Sequence, residues 1–205
     1  MKDSDNNNKS FWDKFAFLYG AFMKKNDKAY NAICDKIVGY FTPQMNVLEL
    51  ACGTGQISYR LADKVQNWLA TDYSDNMIRE AVKQNRNGKI TFETADATAL
   101  KYGDESFDVV VIANALHIMP NPDKAMTEIY RVLKKGGLII APTFVWEGVK
   151  SNFRIWLLNR VGFKFYAKWS VGDFCKYAEQ FGFGIVSAEA IPAVPVNECI
   201  LIGKK

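Results

Sequence analysis

The chain has little of what metal sites, membrane-spanning helices and nucleic-acid interfaces require. Of its 205 residues only one is a histidine, and its four cysteines show neither a C-x-x-C pair nor a metal-ligand spacing with that histidine. No apolar run approaches the roughly 18 residues of a transmembrane helix. The net charge of +4 is spread along the chain and is too small to indicate nucleic-acid binding. We therefore expect a cytoplasmic protein with reduced, independent thiols and no bound metal.

Length and composition predict one domain. The first ten residues are polar and lack the apolar segment of a secretory signal peptide, so we expect residues 1–10 to be a tail without fixed structure. With 49% hydrophobic residues, the chain can bury one substantial core. No repeat or linker divides it, and the sequence therefore predicts a single domain over residues 1–205.

Strands and helices alternate along most of the chain. Apolar residues at helical spacing predict two N-terminal helices, over 11–25 and 27–41. Strands are then predicted at 46–51, 67–72, 89–94, 107–113 and 137–143, with helices at 55–64, 74–85 and 122–133 between them. Helices at 149–163 and 171–181 and strands at 184–191 and 196–203 complete the prediction. This alternation predicts a parallel sheet with helices on both faces and right-handed crossovers.

The first strand runs into a glycine turn, in the segment VLELACGTG of residues 47–55. Gly53 and Gly55 can take backbone angles closed to other residues, and they let a ligand lie against the main chain. A strand, a glycine turn and a helix N-terminus in this order form a nucleotide-cofactor site. The second strand ends at Asp72, 17 residues after Gly55, where an acid can accept both hydroxyls of a ribose. The spacing favours a nucleoside cofactor over a purely structural turn.

Two residues distinguish between cofactors. A dinucleotide site would read G-x-G-x-x-G/A, with a small last residue that lets the helix pack close to the strand. Counted from Gly53, that position holds Ser58. Glu49 precedes the turn, and a carboxylate there suits a cofactor with a cationic amino-acid tail and disfavours a pyrophosphate. A dinucleotide oxidoreductase is therefore the less favoured alternative.

This pattern resembles the first motif of the class I S-adenosylmethionine-dependent methyltransferases, an acid followed after three residues by G-x-G. The resemblance continues at Asp72, at Asp96-Ala97, in residues 107–117 (FDVVVIANALH) and in residues 128–140 (EIYRVLKKGGLII). It covers roughly residues 45–145 and is strongest to the small methyltransferases of the ubiquinone/menaquinone-biosynthesis type. It implies a Rossmann-like doubly wound α/β sheet, mostly parallel, with one antiparallel strand near the C-terminal edge. Residues 11–42 would then be cap helices, 45–145 a cofactor-binding core, 149–170 a substrate lid and 171–205 the final helix and strand pair.

The resemblance also implies how the cofactor, S-adenosyl-L-methionine, would be held. The backbone around Ala51 and Gly53, with Gly55 completing the turn and Glu49 nearby, would hold the methionine part. Asp72 would accept from the ribose hydroxyls.

Further residues would complete the cofactor site. Met77 either covers an adenine face or belongs to the core. Asp96 would accept from the adenine amino group, with the Ala97 backbone beside it, or is only a loop acid. The carbonyl of Asn114 would reach the cofactor's ammonium. An aromatic residue of the N-terminal helices would close over the site, and Tyr19 is favoured for this role over Tyr30.

The chemistry requires little of the protein beyond alignment. Methyl transfer from a sulfonium is an in-line displacement in which the cofactor supplies the reactivity, and alignment can lower the barrier by about 7–11 kcal/mol. Asn114-Ala115-Leu116-His117 lacks the prolines of amino-methylating nucleic-acid enzymes, and neutral Asn114 disfavours a magnesium-dependent catechol type. His117, the only histidine, is either a general base or a packed loop residue. By elimination, the methyl group would go to O, N or C of a small acceptor, leaving S-adenosyl-L-homocysteine.

The composition of the predicted lid indicates the polarity of the acceptor. Residues 150–176 hold six basic residues, one acid and seven Phe, Tyr or Trp residues, which favours an apolar or aromatic acceptor. The alternatives are a lid helix with solvated basic residues and peripheral membrane contact, which would allow a lipid-headgroup methyltransferase. A non-catalytic S-adenosylmethionine-binding or partner-binding protein is the rival from another class. We expect no nucleic-acid partner and either a monomer or a homodimer.

Overall fold

The computed structural model describes residues 27–85, 88–147, 165–193 and 196–205. The predicted tail, the helix over 11–25 with Tyr19, and the lid helix over 149–163 lie outside the described residues. Every other predicted helix and strand falls within them and is present.

Seven strands and five helices form the described architecture. The strands are β1 (Asn46–Leu50), β2 (Asn67–Asp72), β3 (Ile90–Thr94), β4 (Phe107–Ile112), β5 (Leu133–Phe144), β6 (Gly184–Ile191) and β7 (Glu198–Lys204). The helices are α1 (Asp27–Ile37), α2 (Ser58–Leu61), α3 (Asp75–Val82), α4 (Pro122–Val132) and α5 (Val171–Gln180). Short 3₁₀ turns follow α1 and α2 and precede α4, at Val38–Tyr40, Ala62–Lys64 and Leu116–Ile118.

The strands form one sheet in the order β3-β2-β1-β4-β5-β7-β6. Strands β1 to β5 are mutually parallel, whereas β7 runs antiparallel to both β5 and β6. The predicted fold class is therefore confirmed, including the single antiparallel strand near the C-terminal edge. The strand order reverses at the β1–β4 pair, and in open α/β sheets ligands bind at such a switch point, beyond the carboxyl ends of the strands.

The sheet is covered on both faces. Leu48 and Leu50 of β1 pack into one buried cluster with Phe174 of α5. Val47 belongs to the opposite cluster, together with Ile33 of α1. Successive strand residues point to opposite faces, so an uninterrupted apolar strand is expected when both faces are buried.

Two helix boundaries differ from the prediction. The helix expected over 55–64 begins only at Ser58, because Gly55 has a φ of 82° and lies in the preceding turn. Helix α4 ends at Val132, and β5 starts directly at Leu133, four residues before the predicted strand. Gly136 has a left-handed backbone, with φ 77°, and lies inside β5, where the pairing with β4 shifts register.

Helix caps set the ends of two helices near the sheet edge. Ser74 is the N-cap of α3, and its hydroxyl accepts a hydrogen bond from the Met77 amide at 3.2 Å. Ser170 and Asp173 form a reciprocal capping box at the start of α5. These caps fix where each chain segment leaves the sheet.

The shift in register between β4 and β5 can be tested by its effect on the stability of the fold. A Cβ added at Gly137 would lie 2.9 Å from the Lys134 carbonyl oxygen and 3.0 Å from that of Asp108. Since both contacts are backbone atoms, we expect Gly137→Ala to lower the free energy of unfolding by about 1–3 kcal/mol, measured by urea denaturation. As a control, Gly172→Ala in α5 meets only the Ser170 hydroxyl, at 3.9 Å, and should be neutral or stabilise by up to about 1 kcal/mol. Equal midpoints for the two variants would contradict this account.

Candidate active site

One open cavity lies at the switch point, against the carboxyl ends of β1 to β4. It encloses about 1020 Å³ of empty space, a volume that includes solvent at its open mouth. Its lining comes from the loops after the four strands and from the segment before α4: Ala51, Gly53, Asp72, Tyr73, Met77, Ala95, Asp96, Ala97, Thr98, Ala113, Asn114, Ala115, Ile118, Met119, Pro120 and Asn121. Seven of the residues that the sequence proposes for the cofactor are thus brought together.

The backbone is strained at two points of this lining. Ala51, directly after β1, and Asn114, shortly after β4, both have a φ of 53°. This left-handed region costs a residue with a Cβ about 1–2 kcal/mol. Among the described residues, Glu105 is the one other non-glycine with positive φ, and it lies in an exposed turn. Backbone strain of this kind is concentrated at functional sites. Here it turns the segment after β1 and the segment after β4 away from the sheet at the cavity.

Asp72 joins the glycine turn to helix α3. Its Oδ2 accepts a hydrogen bond from the Gly53 amide at 2.8 Å, and its Oδ1 accepts from the Ser74 amide at 2.9 Å. A carboxylate oxygen can accept more than one hydrogen bond. The carboxylate is therefore held in a fixed orientation at the cavity and can still accept from ligand hydroxyls.

The loop after β3 forms the next part of the lining. Oδ1 of Asp96 accepts from the backbone amide and the hydroxyl of Thr98, at 2.8 and 2.7 Å. Ala97 is 7% exposed and Met77 2% exposed, yet both contribute to the cavity wall. Met77 is thus packed in the core and also borders the cavity, so the two alternatives that the sequence left open do not exclude each other.

Gly55 and Glu49 stay outside the cavity lining. A Cβ at Gly55 would lie 2.8 Å from the Tyr59 ring and 3.1 Å from Phe92, so this glycine is required by packing rather than by an approaching ligand. Glu49 is 2% exposed and accepts hydrogen bonds from the Ser58 hydroxyl and, at 2.9 Å, from the Trp68 indole. In the structure Glu49 therefore supports the turn from beneath.

Burial changes the protonation of Glu49. It raises the pKa of this carboxyl to about 7, although the hydrogen bonds from Ser58 and Trp68 oppose the shift. Ser58 stands where the dinucleotide pattern has Gly or Ala, and it donates one of the two hydrogen bonds that hold this acid.

His117 is also placed away from the cavity lining. The side chain is fully buried, its Nδ1 lies 2.8 Å from the Thr143 hydroxyl, and the Phe165 ring stacks on it at 5.9 Å. Burial lowers its pKa to about 3. Its carbonyl accepts from the amides of Tyr166 and Ala167, at 2.9 and 3.2 Å. These contacts suit a packed residue that anchors the C-terminal part of the predicted lid, and they do not suit the alternative of a general base.

Asn114 is joined to a buried acid that sequence reasoning missed. Its Nδ2 donates to Oε1 of Glu198 at 2.8 Å, and Glu198 is 2% exposed. Burial raises the pKa of Glu198 to about 7, and the hydrogen bond from Asn114 opposes this shift. The only sequence signal was an acid at the head of the apolar run Cys199-Ile200-Leu201-Ile202.

Other lining residues were also missed. Tyr73 and Thr98 each lie one or two residues after a predicted site residue, so proximity in sequence could have indicated them. Ile118, Met119 and Asn121 precede α4 and belong to no motif; only the folded chain brings them to the cavity.

A search of the described residues finds no helix with the length and apolarity of a bilayer span. Within the same residues, no three His, Cys, Asp or Glu side chains come together as metal ligands would. The four cysteines, all described, are free thiols.

Known proteins match this chain in sequence and in fold. Residues 48–141 match the family model described as methyltransferase domain. The demethylmenaquinone methyltransferase of Leptospira interrogans is 39% identical over 117 residues, 54% of this chain and 47% of that protein. A ubiquinone/menaquinone biosynthesis C-methyltransferase of Rhizobium etli is 34% identical over 109 residues, 50% of this chain and 42% of that protein. In these residues the chain is similar to the class I S-adenosylmethionine-dependent methyltransferases. It spans about half the length of these curated relatives.

The solved structures extend the likeness of fold over nearly the whole chain. A chain of the complex between the Haloferax volcanii Trm112 methyltransferase activator and a methyltransferase superposes with a TM-score of 0.80 and covers 94% of this chain and 96% of its own length. At 16% identity this similarity concerns the fold alone. The cofactor of the methyltransferase family is S-adenosylmethionine. The carboxylate of Asp72, which two backbone amides hold beside the strained turn at Ala51, fits the ribose and the amino-acid tail of this cofactor.

The buried carboxyl of Glu49 makes stability depend on pH. The unfolded chain ionises this group near pH 4.5, the folded protein only near pH 7, so between these values the unfolded state binds fewer protons and the free energy of unfolding falls as pH rises. Glu49→Gln cannot ionise. We expect the stability of the wild type relative to Glu49→Gln to fall by about 2–3 kcal/mol between pH 5 and pH 8, measured by urea denaturation.

The matched control is Glu189→Gln, since Glu189 is exposed and pairs with Lys36 at the surface. Its stability relative to wild type should change little over the same interval. A pH-independent difference for Glu49→Gln would contradict the buried-acid account.

Proposed function

We propose that this protein transfers a methyl group from S-adenosylmethionine to a carbon of a small aromatic acceptor of the quinol type. The observation that carries the methyl-transfer part is the geometry at Asp72, whose two carboxylate oxygens are fixed by the Gly53 and Ser74 amides at the edge of the cavity. The quinol part is supported by relatives that are named for demethylmenaquinone and for C-methylation.

The residues along the cavity would hold the cofactor in an extended form. These residues lie at the carboxyl ends of four strands that are neighbours in the order β3, β2, β1 and β4: Asp96, Asp72, the turn at Ala51 and Asn114. In this arrangement Asp96 binds the base, Asp72 the ribose hydroxyls, and the backbone at Ala51 the amino-acid part. When bound, the cofactor supplies an electrophilic methyl group.

The contribution of the protein is alignment and exclusion of water. The fixed carboxylate and the strained turns hold one reactant without rearranging during the reaction, and such positioning can lower the barrier by about 7–11 kcal/mol. Ile118, Met119 and Pro120 give the cavity an apolar wall next to Asn114. This wall suits an apolar ring as acceptor and offers little hydrogen bonding to water.

The ribose assignment can be tested by calorimetry. We expect Asp72→Ala to weaken S-adenosylhomocysteine binding by about 1.5–3 kcal/mol, the scale of hydrogen bonds to charged groups, or roughly 10- to 150-fold in Kd. Asp72→Asn retains one acceptor oxygen and should be intermediate. The control Asp63→Ala removes an exposed acid that pairs with Lys89 at 3.4 Å and should leave Kd unchanged. A loss below about 0.5 kcal/mol for Asp72→Ala would contradict the assignment.

The reaction can be tested by measuring S-adenosylhomocysteine formation with a panel of reduced naphthoquinols, phenols and amines, followed by mass spectrometry of the product. We expect turnover with a quinol and a new carbon–methyl bond, because the cavity wall is apolar and the relatives act on quinone precursors by name. Cofactor binding without product from any acceptor would instead support a non-catalytic binding protein. Methylation of an amine or a phenolic oxygen alone would retain the enzyme and refute the quinol assignment.

A further inference from the structure

Within the described residues, only one end of the Asn114 side-chain amide is hydrogen-bonded. Its Nδ2 donates to Glu198 at 2.8 Å, whereas its Oδ1 is buried and has no hydrogen-bond partner. Leaving a buried polar atom without a partner costs about 1–3 kcal/mol. Asn114 also lines the cavity and has a strained φ of 53°. An unpartnered oxygen at a ligand cavity is expected to gain a partner when a hydrogen-bond donor binds.

The antiparallel strand explains why Glu198 can reach this position. The carboxyl ends of β1 to β5 meet at one edge of the sheet, and an antiparallel strand brings its first residue to that edge. Glu198 is the first residue of β7 and pairs in register with Phe144 of β5 and Ile191 of β6. The topology therefore places a buried carboxylate behind the lining residue that follows β4.

We propose that Glu198 is a positioning residue that holds the Asn114 amide with Oδ1 presented to the ammonium group of the cofactor's amino-acid tail. This inference rests on the proposed function, because it assigns a further contact to the same cofactor. The carboxylate fixes which end of the amide faces it, since a carboxylate accepts and only Nδ2 can donate. The remaining end can only accept a hydrogen bond.

The ammonium is the donor that the arrangement favours. Asp96 lies after β3 and Asp72 is the last residue of β2, so the base and ribose are assigned to that side of the cavity. Asn114, after β4, is left for the opposite end of the ligand. A cation there is attracted by the Glu198 carboxylate through the polarised amide, which strengthens the hydrogen bond to Oδ1.

The test compares two ligands that differ in the amino-acid part. S-adenosylhomocysteine carries the ammonium, and 5′-methylthioadenosine has the same adenosine thioether without the amino-acid end. Binding of both is measured by calorimetry at pH 8 for wild type, Glu198→Leu and Glu198→Gln. We expect Glu198→Leu to weaken S-adenosylhomocysteine about tenfold or more and 5′-methylthioadenosine less than about twofold. Glu198→Gln keeps an acceptor for Nδ2 and should restore most of the affinity.

Two further variants control for folding and for charge. Glu189→Gln changes an exposed acid on the neighbouring strand β6 and should alter neither Kd. Asn114→Gly removes the amide and accepts the positive φ without strain, so it should show the same ligand discrimination as Glu198→Leu, even if the buried Glu198→Leu change prevents folding.

The outcomes separate this inference from the proposed function. An equal loss of both ligands in Glu198→Leu and Asn114→Gly would mean that the pair is only structural and would overturn the inference. Unchanged binding of S-adenosylhomocysteine in those variants would overturn it as well. If wild type binds neither nucleoside, the proposed function fails and the inference fails with it. Discrimination between the two ligands, with recovery in Glu198→Gln, supports both.

Discussion

The hydrogen bonds from Gly53 and Ser74 to the carboxylate of Asp72 are the interaction on which the site depends. One side chain at the end of β2 holds the turn that leaves β1 and the start of α3. The Cys52 amide also donates to the Thr71 carbonyl at 2.9 Å, so β2 holds the backbone that follows the strained Ala51 beside the cavity. Because the carboxylate is committed to the protein through two amides, it is already oriented when a ligand arrives, which limits the entropy lost on binding.

Two buried acids support the cavity from outside its lining. Glu49 lies beneath the glycine turn and is held by Ser58 and Trp68, and Glu198 holds the amide of Asn114. Each has a pKa raised by burial to about 7. The two lining residues with a strained φ, Ala51 and Asn114, are thus each associated with a buried, hydrogen-bonded acid. Burying these acids costs stability, and their hydrogen bonds keep the turns in a fixed arrangement.

Much of the fold could be predicted because its signals are local. Apolar strands, helical spacing and the residues at helix ends located every described helix and strand, and the alternation implied the parallel sheet. The errors lie where tertiary geometry overrides the pattern: Gly55 keeps α2 from starting early because its backbone is left-handed, and the β4–β5 register shift takes residues after α4 into the strand. His117 had the right chemistry for a base, and only packing shows that it is buried among aromatic rings and stays neutral.

The sequence by itself determined the fold class, the resemblance to methyltransferases and the succession of residues at the strand ends, because each motif is contiguous and each strand end follows from the alternation. Only the tertiary structure decided which of these residues share a cavity and which support it. Glu49 and Gly55 belong to the motif but face the core, whereas Glu198 is 84 residues from Asn114 along the chain and is its hydrogen-bond partner. The physical reason is that β7 runs antiparallel between β5 and β6, a pairing between distant segments that no local pattern of residues encodes.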